Sequence, residues 1–274
     1  MSDRLAVRKT YKLYVGGKFP RSESGRSYLV QDSNVALASR KDVRDAVLAA
    51  RAAVKGWSGA TAYNRGQILY RVAEMLEGRR DQFIGLGEVP ADVDAAIDRW
   101  VWYAGWSDKI AQVYGSANPV AGPYFNLSAP EPTGVVGVVA PPESPLLGLV
   151  SVVAPAIVTG NTVVVLASEG RPLPAVTLAE VLATSDLPGG VVNILTGRVA
   201  ETGPWLAAHM DVNAVDLTGV PGADLARSLE EAAADNLKRV VRPPAEPVDW
   251  TADPGLGRMT AFLETKTVWH PKGT

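Results

Sequence analysis

Few side chains of this 274-residue sequence are placed to do covalent chemistry. The sequence has no cysteine and only two histidines, His209 and His270, which leaves no thiol nucleophile, no disulfide and no basis for a histidine metal centre. Glu143 and Ser144 stand side by side between two prolines and invite a hydrolytic or redox interpretation. Neighbouring side chains in such a turn rarely reach the same atom, and no histidine lies nearby in the sequence as a base. We therefore expect no metal site and no base–nucleophile pair.

The composition predicts an ordinary globular protein. Hydrophobic residues make up 47% of the chain and charged residues 20%, which is enough for a sizeable core in one large or two small domains. The net charge of -2 gives no reason to expect nucleic acid or an anionic membrane as partner. No apolar run is long enough to span a bilayer, and the first ten residues lack the apolar region of a secretory signal. We expect a cytoplasmic protein.

The elements that must position any site form a regular alternation after residue 119. Strands are predicted at 134–140, 162–167, 191–195, 212–217 and 238–242, with helices at 146–158, 173–183, 201–209 and 224–236 between them. Short apolar strands joined by crossover helices form right-handed βαβ units. The pattern therefore predicts an α/β fold with a doubly wound parallel sheet, the arrangement of nucleotide-binding domains.

The two ends of the chain depart from this alternation. Before it, β-prone pieces at 12–15 and 26–30 indicate a hairpin, and helical spacing predicts helices at 41–57, 61–76 and 92–114. The third of these helices is rich in tryptophan and tyrosine, which could stack a ligand but is more typical of packing. After the alternation of strands and helices, four prolines interrupt residues 242–257. Residues 259–270 are then predicted to form an extended β-prone tail.

Four segments together resemble the aldehyde dehydrogenase superfamily: EPTGVVGVVAPPESP at 131–145, GNTVVVLASE at 160–169, LPGGVVNILTG at 187–197 and LTG at 217–219. The resemblance covers most of the first 240 residues. It implies an NAD-binding domain of that family, made of an N-terminal helical part at 1–120 and a Rossmann-like part at 134–257. It also implies oligomerisation strands at 121–133 and 258–274, which would form a small separate β-sheet.

The resemblance implies four cofactor-binding residues, which are Ser168, Glu169, Thr218 and Gly219. In the family, glutamate of this motif can hold ribose hydroxyls, and the Thr-Gly turn can meet a pyrophosphate at a helix N-terminus. A simpler interpretation is that Glu169 caps the following helix. Leu166 stands where the family has a lysine, and Pro221 removes an amide donor from the turn. We therefore expect NAD(P) binding to be weak or absent.

The catalytic positions of the resemblance are degenerate. Glu143 stands where the family has an oxyanion-stabilising asparagine, and a carboxylate would repel a developing oxyanion. Pro243 lies in the segment where the family has its general-base glutamate, and the family's nucleophilic cysteine has no counterpart. The resemblance thus implies a pseudoenzyme that lacks the catalytic domain and is not an enzyme on its own.

Three hypotheses remain open for the function. The first is a non-catalytic subunit that assembles with, and stabilises or regulates, a full-length aldehyde dehydrogenase through the strand at 265–270 and the segment at 124–130. The second is a divergent NAD-binding oxidoreductase, or a hydrolase, that uses groups such as Glu143 and Ser144. The third is a structural homodimer, which assembles with itself through the C-terminal strand and has no enzyme partner.

Overall fold

The computed structural model describes residues 8–273. Its strands are β1 (Thr10–Tyr11), β2 (Ser27–Val30), β3 (Ser33–Ala36), β4 (Ser116–Asn118), β5 (Tyr124–Pro132), β6 (Val135–Val139), β7 (Thr162–Leu166), β8 (Val192–Leu195), β9 (Ala214–Asp216), β10 (Arg239–Val241) and β11 (Leu263–Pro271). Its helices are α1 (Arg40–Gly59), α2 (Ala62–Glu77), α3 (Arg80–Gly85), α4 (Pro90–Trp106), α5 (Ile110–Tyr114), α6 (Leu147–Val158), α7 (Leu173–Leu182), α8 (Val199–Ala207), α9 (Ala223–Ala234) and α10 (Gly257–Thr260).

A five-stranded parallel sheet forms the centre of the molecule, in the order β10-β9-β6-β7-β8. Every residue of β6 and β7 is buried, because helices pack on both faces of the sheet. Successive residues face opposite cores: Val136 and Val138 pack with α2, α4 and α6, whereas Val135 and Val139 pack with α1, α8 and α9. The predicted doubly wound α/β fold is confirmed.

Two of the predicted N-terminal elements are wrong in detail. The strand β2 pairs with β3 rather than with residues 12–15, and the turn between them places Gln31 at a φ of 51°. Tyr14 instead exchanges backbone hydrogen bonds with Ile194 at the edge of the central sheet. The helix predicted at 92–114 is two helices, because a turn at residues 107–109 ends α4. Neither the Gln-Asp turn nor the Ser-Asp-Lys turn carries the glycine or proline that normally marks such a break.

The aromatic side chains of α4 are packing residues, as the simpler interpretation predicted. Trp100 and Tyr103 are wholly buried in the core that α4 shares with α6. Trp102 contacts Tyr103 edge-on with ring centroids 4.9 Å apart, and it packs against the same core. Burial of large aromatic surfaces between helices explains this spacing without a ligand.

A second, three-stranded antiparallel sheet has the order β11-β5-β4. Leu263–Pro271 pairs with Tyr124–Pro132 along its whole length, so the predicted pairing of the tail is confirmed and β11 is the edge strand. Apolar side chains on this sheet meet solvent, and the most exposed are Tyr124, Phe125, Leu127, Val268 and Trp269. We call this element the small sheet.

Residues 242–262 connect the central sheet to the small sheet, and we call them the strap. Trp250, Met259 and Phe262 of the strap are buried in the same core as α4 and α6. The Phe262 carbonyl accepts hydrogen bonds from the Thr133 hydroxyl at 2.6 Å and the Asn161 amide at 3.0 Å. The strap therefore covers apolar surface of the domain within the same chain.

Candidate functional site

The order of the central sheet fixes where a ligand would meet it. The chain runs from β6 to β7 and β8 on one side, then returns to β9 and β10 on the other, so the topology reverses between β6 and β9. Ligands of open α/β sheets bind outside the carboxyl ends of the strands at such a reversal. Here the loops 140–146 and 217–222 border that place, which we call the switch-point crevice.

Gly219 brings the two loops into backbone contact. Its amide donates to the Val139 carbonyl at 3.1 Å, and a Cβ at this position would overlap the Ala140 carbonyl. Only glycine allows this approach, so the close contact accounts for the glycine without a pyrophosphate. The same residue type serves close packing of backbones elsewhere in proteins.

Thr218 is held by Asp216, the last residue of β9. The Thr218 amide donates to the Asp216 carboxylate at 2.9 Å, and the Thr218 hydroxyl donates to the same oxygen. Arg258 of the strap lies 3.3 Å from the other Asp216 oxygen and 3.4 Å from the Thr218 hydroxyl. Burial raises the pKa of Asp216, and the Arg258 charge and the Thr218 hydrogen bonds oppose that rise. The amide and the hydroxyl of Thr218 are therefore engaged within the protein.

Glu143 and Ser144 point to different partners. The Glu143 carboxylate accepts from the indole nitrogen of Trp250 at 3.1 Å, whereas the Ser144 hydroxyl accepts from the Gly148 amide at 2.8 Å in the first turn of α6. Among the described contacts, the Ser144 hydroxyl makes no hydrogen bond to a basic or acidic side chain. Pro243, two residues beyond β10, is partly exposed. The arrangement has the form of a structural turn.

Ser168 and Glu169 lie on the other side of β6. The Ser168 hydroxyl accepts from the Arg171 amide at 3.2 Å, and the Glu169 carboxylate is half exposed and 3.9 Å from Arg198. Glu169 makes no side-chain cap on α7. Because β7 and β9 flank β6, this pair lies two strand spacings from Thr218, or about 10 Å. Leu166 is buried in the core, 3% exposed.

Two positions of the turn at 217–222 offer no donor to a dinucleotide phosphate. Thr218 has its donors engaged, Pro221 supplies none, and Asp224 places a carboxylate in the first turn of α9. A small cavity of about 10 Å³ lies between α8, α9 and the sheet, lined by Val139, Leu206 and Leu229 among others. Pockets that hold cofactors usually measure about 300 Å³ or more.

Four residues that make the main polar contacts of this region carry no motif in the sequence: Arg99, Asp216, Trp250 and Arg258. Asp216 carried a usable signal, because a carboxylate that follows Ala214 and Val215 in a buried strand needs a cationic partner. The partner itself lies 42 residues away in an irregular segment, and no local pattern identifies it.

The remaining candidate features lie elsewhere. A groove of about 730 Å³ between α2 and α4 is lined by Tyr63, Tyr70, Arg71 and Val101 among others, and it contains none of the residues above. Within residues 8–273, no group of three potential metal ligands occurs. The helices of that part of the chain include none that is long and apolar enough to cross a membrane.

Comparison with known proteins agrees with the motifs. Residues 32–242 match the aldehyde dehydrogenase family. The chain is 35% identical over 252 residues to aldehyde dehydrogenase, cytosolic 1 of Elephantulus edwardii, covering 84% of this chain and 49% of that protein. It is 33% identical over 253 residues to human retinal dehydrogenase 2, covering 85% and 48%. The chain thus spans about half the length of these curated relatives.

Solved structures show the same relationship. The aldehyde dehydrogenase of Bacillus cereus in its NAD+ complex superposes with a TM-score of 0.79 at 26% identity, covering 85% of this chain and 50% of that one. HpcC of Thermus thermophilus superposes with a TM-score of 0.79 at 30% identity, covering 85% and 47%. The similarity therefore extends over most of this chain and about half of each neighbour.

Proposed function

We propose that this chain, which belongs to the aldehyde dehydrogenase family, is a non-catalytic subunit. It assembles with a complete NAD-dependent aldehyde dehydrogenase and stabilises or regulates it. The small sheet carries this proposal: β5 and β11 pair over 9 residues each, yet their apolar side chains meet solvent. A sheet of three strands with apolar groups in solvent is marginal alone, so a second chain completes it.

Both faces of the small sheet offer contact surface. Leu127 and Val268 are direct cross-strand partners on one face, and Tyr124 and Trp269 meet edge-on at 5.8 Å on the other. The free side of β11 adds an edge that a partner strand can extend. We propose that the chain divides into residues 1–120, 134–257, and an assembly element of residues 121–133 with 258–274.

Two features support the absence of catalysis. Aldehyde oxidation through a thioester requires a thiolate, and the sequence contains no cysteine. Glu143 supplies a carboxylate at the expected oxyanion position and is already bound to Trp250. We propose in addition that NAD(P) binding is weak or absent. We also propose that the protein acts in the cytoplasm, since the name of its relative from Elephantulus edwardii describes that protein as cytosolic.

The strap favours a second candidate, a structural homodimer without an enzyme partner. Trp250, Met259 and Phe262 cover apolar surface that an isolated nucleotide-binding domain would expose. The small sheet is then the surface for which we propose a partner, and a second copy of this chain supplies the same apolar side chains. In this candidate the two small sheets face one another across a two-fold axis.

Purification from the native cell distinguishes the candidates. The tagged chain is isolated, the co-eluting chain is identified, and the mass is measured by light scattering. A full-length aldehyde dehydrogenase at a fixed ratio supports the first candidate, and a dimer of this chain alone supports the second. The purified chain is also assayed with aldehydes and NAD or NADP. Cofactor reduction that scales with this chain after contaminating enzymes are removed contradicts both candidates.

A further inference from the structure

The strap bridges the two sides of the switch-point crevice. Its Trp250 indole donates to Glu143 of the loop after β6. Its Arg258 guanidinium binds Asp216, the last residue of β9, and Thr218 of the loop that follows. The two strap side chains also contact each other, because the Arg258 guanidinium lies 5.1 Å from the centre of the Trp250 ring. They therefore form one stacked unit that spans from the first loop to the second.

Arg99 holds the backbone of the strap in this position. Its guanidinium donates to the carbonyls of Trp250 at 2.7 Å and Ala252 at 2.9 Å, and the residue is 7% exposed. Trp250 is 8% exposed. A charged side chain is rarely buried unless it is paired, so the use of a buried arginine on two carbonyls marks a specific attachment. The strap is thus fixed at its backbone and through two of its side chains.

We infer that the strap closes the switch-point crevice in cis, with Trp250 and Arg258 standing where a nucleotide would otherwise lie. This is the place where open α/β sheets bind ligands. At its border, one carboxylate oxygen of Glu143 accepts from Trp250, and the Thr218 hydroxyl is bound to Asp216 and Arg258. The inference goes beyond the proposed function, because it concerns what fills the crevice and not which chain meets the small sheet.

The test removes the indole and measures binding of a mononucleotide. Trp250→Ala removes the ring from the crevice and frees one Glu143 oxygen, while the Arg258–Asp216 pair stays in place. Nicotinamide mononucleotide is the probe, because it needs no room between α8 and α9. If the strap leaves the crevice open in about one molecule in ten, the apparent affinity for the mononucleotide is about tenfold lower than that of an open crevice. The variant is therefore expected to bind the mononucleotide about ten times more tightly than the parent chain.

Trp205→Ala is the matched control. Trp205 is also stacked by an arginine, with Arg40 at 4.1 Å, but it lies on α8 away from the strap. Its loss is expected to leave mononucleotide binding unchanged. Hydrogen exchange provides a second measurement, since the Gly219 and Val220 amides should exchange faster in Trp250→Ala and not in the control.

Trp250→Phe keeps the test valid if the alanine variant does not fold. Phenylalanine retains an aromatic ring in the core but lacks the donor to Glu143, so a smaller gain in affinity and faster exchange of the same amides are expected. Folded variants that bind the mononucleotide no better than the parent chain overturn the inference. That outcome leaves the proposed assembly intact, because neither substitution touches the small sheet.

Discussion

The Arg258 guanidinium lies 3.3 Å from the Asp216 carboxylate and joins the strap to the end of β9. Asp216 is 1% exposed, whereas the side chain of Arg258 keeps 25% of its surface in contact with solvent. The carboxylate is the more strongly desolvated partner, and burial raises its pKa despite the neighbouring cation. Attachment of the strap to the sheet therefore depends on a carboxylate whose ionisation is costly in the folded state.

Asp216→Asn should change how stability depends on pH. The folded-state pKa of Asp216 is raised above its unfolded value near 3.9, so the folded protein holds the proton more tightly. The contribution of Asp216 to the free energy of unfolding is therefore most favourable below its unfolded pKa and is lost as pH rises through its folded pKa. Each tenfold difference in proton affinity between the two states corresponds to about 1.4 kcal/mol. Denaturant unfolding of both proteins between acid and neutral pH measures this. A stability advantage of the wild type over the Asp216→Asn variant that grows with pH contradicts the assignment.

Gly219→Ala should destabilise the protein by about 1–3 kcal/mol, the usual cost of overpacking. The added methyl group overlaps the Ala140 carbonyl, which is backbone and cannot move without separating the two loops. Gly105→Ala is the control, because a Cβ there meets nothing within 4 Å and α4 gains about 0.5–1 kcal/mol from the loss of a helical glycine. Chemical denaturation measures both. Equal stability of Gly219→Ala and wild type would show that the loops are not in contact.

Leu237→Gly should stabilise the protein by about 0.5–1 kcal/mol. Leu237 is 91% exposed and adopts a φ of 57°, a left-handed conformation that costs an L-residue about 1–2 kcal/mol. Glycine removes that cost but loses more entropy on folding, so part of the gain is offset. Leu237→Ala serves as the control, since it shortens the side chain and keeps the strain. If alanine stabilises as much as glycine, the effect comes from the exposed side chain and not from the backbone.

The parts of the fold that the sequence predicts are those set by periodicity. Unbroken apolar runs such as Val135–Val139 and Thr162–Leu166 identify buried parallel strands, and alternation in the tail identifies β11. The break between α4 and α5 has no such signal. The break lies where the end of α4 crosses close to α2, since a Cβ on Gly66 would overlap the Ser107 hydroxyl oxygen. Contacts of that kind depend on tertiary packing and leave no local pattern.

The candidate site shows the same division. Glu143, Thr218 and Gly219 are found from motifs, and they do border one crevice. What they contact is not found from motifs, because the contacts come from Trp250 and Arg258 in a proline-rich segment without periodicity. Motif positions locate loops on a fold, whereas the side chains that contact those loops here come from distant residues.

Deletion of residues 265–274 should abolish the oligomer while the central sheet survives. The deletion removes most of β11, so β5 loses its partner and the apolar pairs around Leu127 and Tyr124 lose one member each. The central sheet makes no backbone pairing with β11, so its far-ultraviolet circular dichroism should persist. Light scattering measures the mass, with Trp205→Ala as a control for loss of an exposed tryptophan elsewhere. A folded, truncated chain that keeps the native mass would show that assembly uses another surface, and the small sheet would no longer support the proposed subunit role.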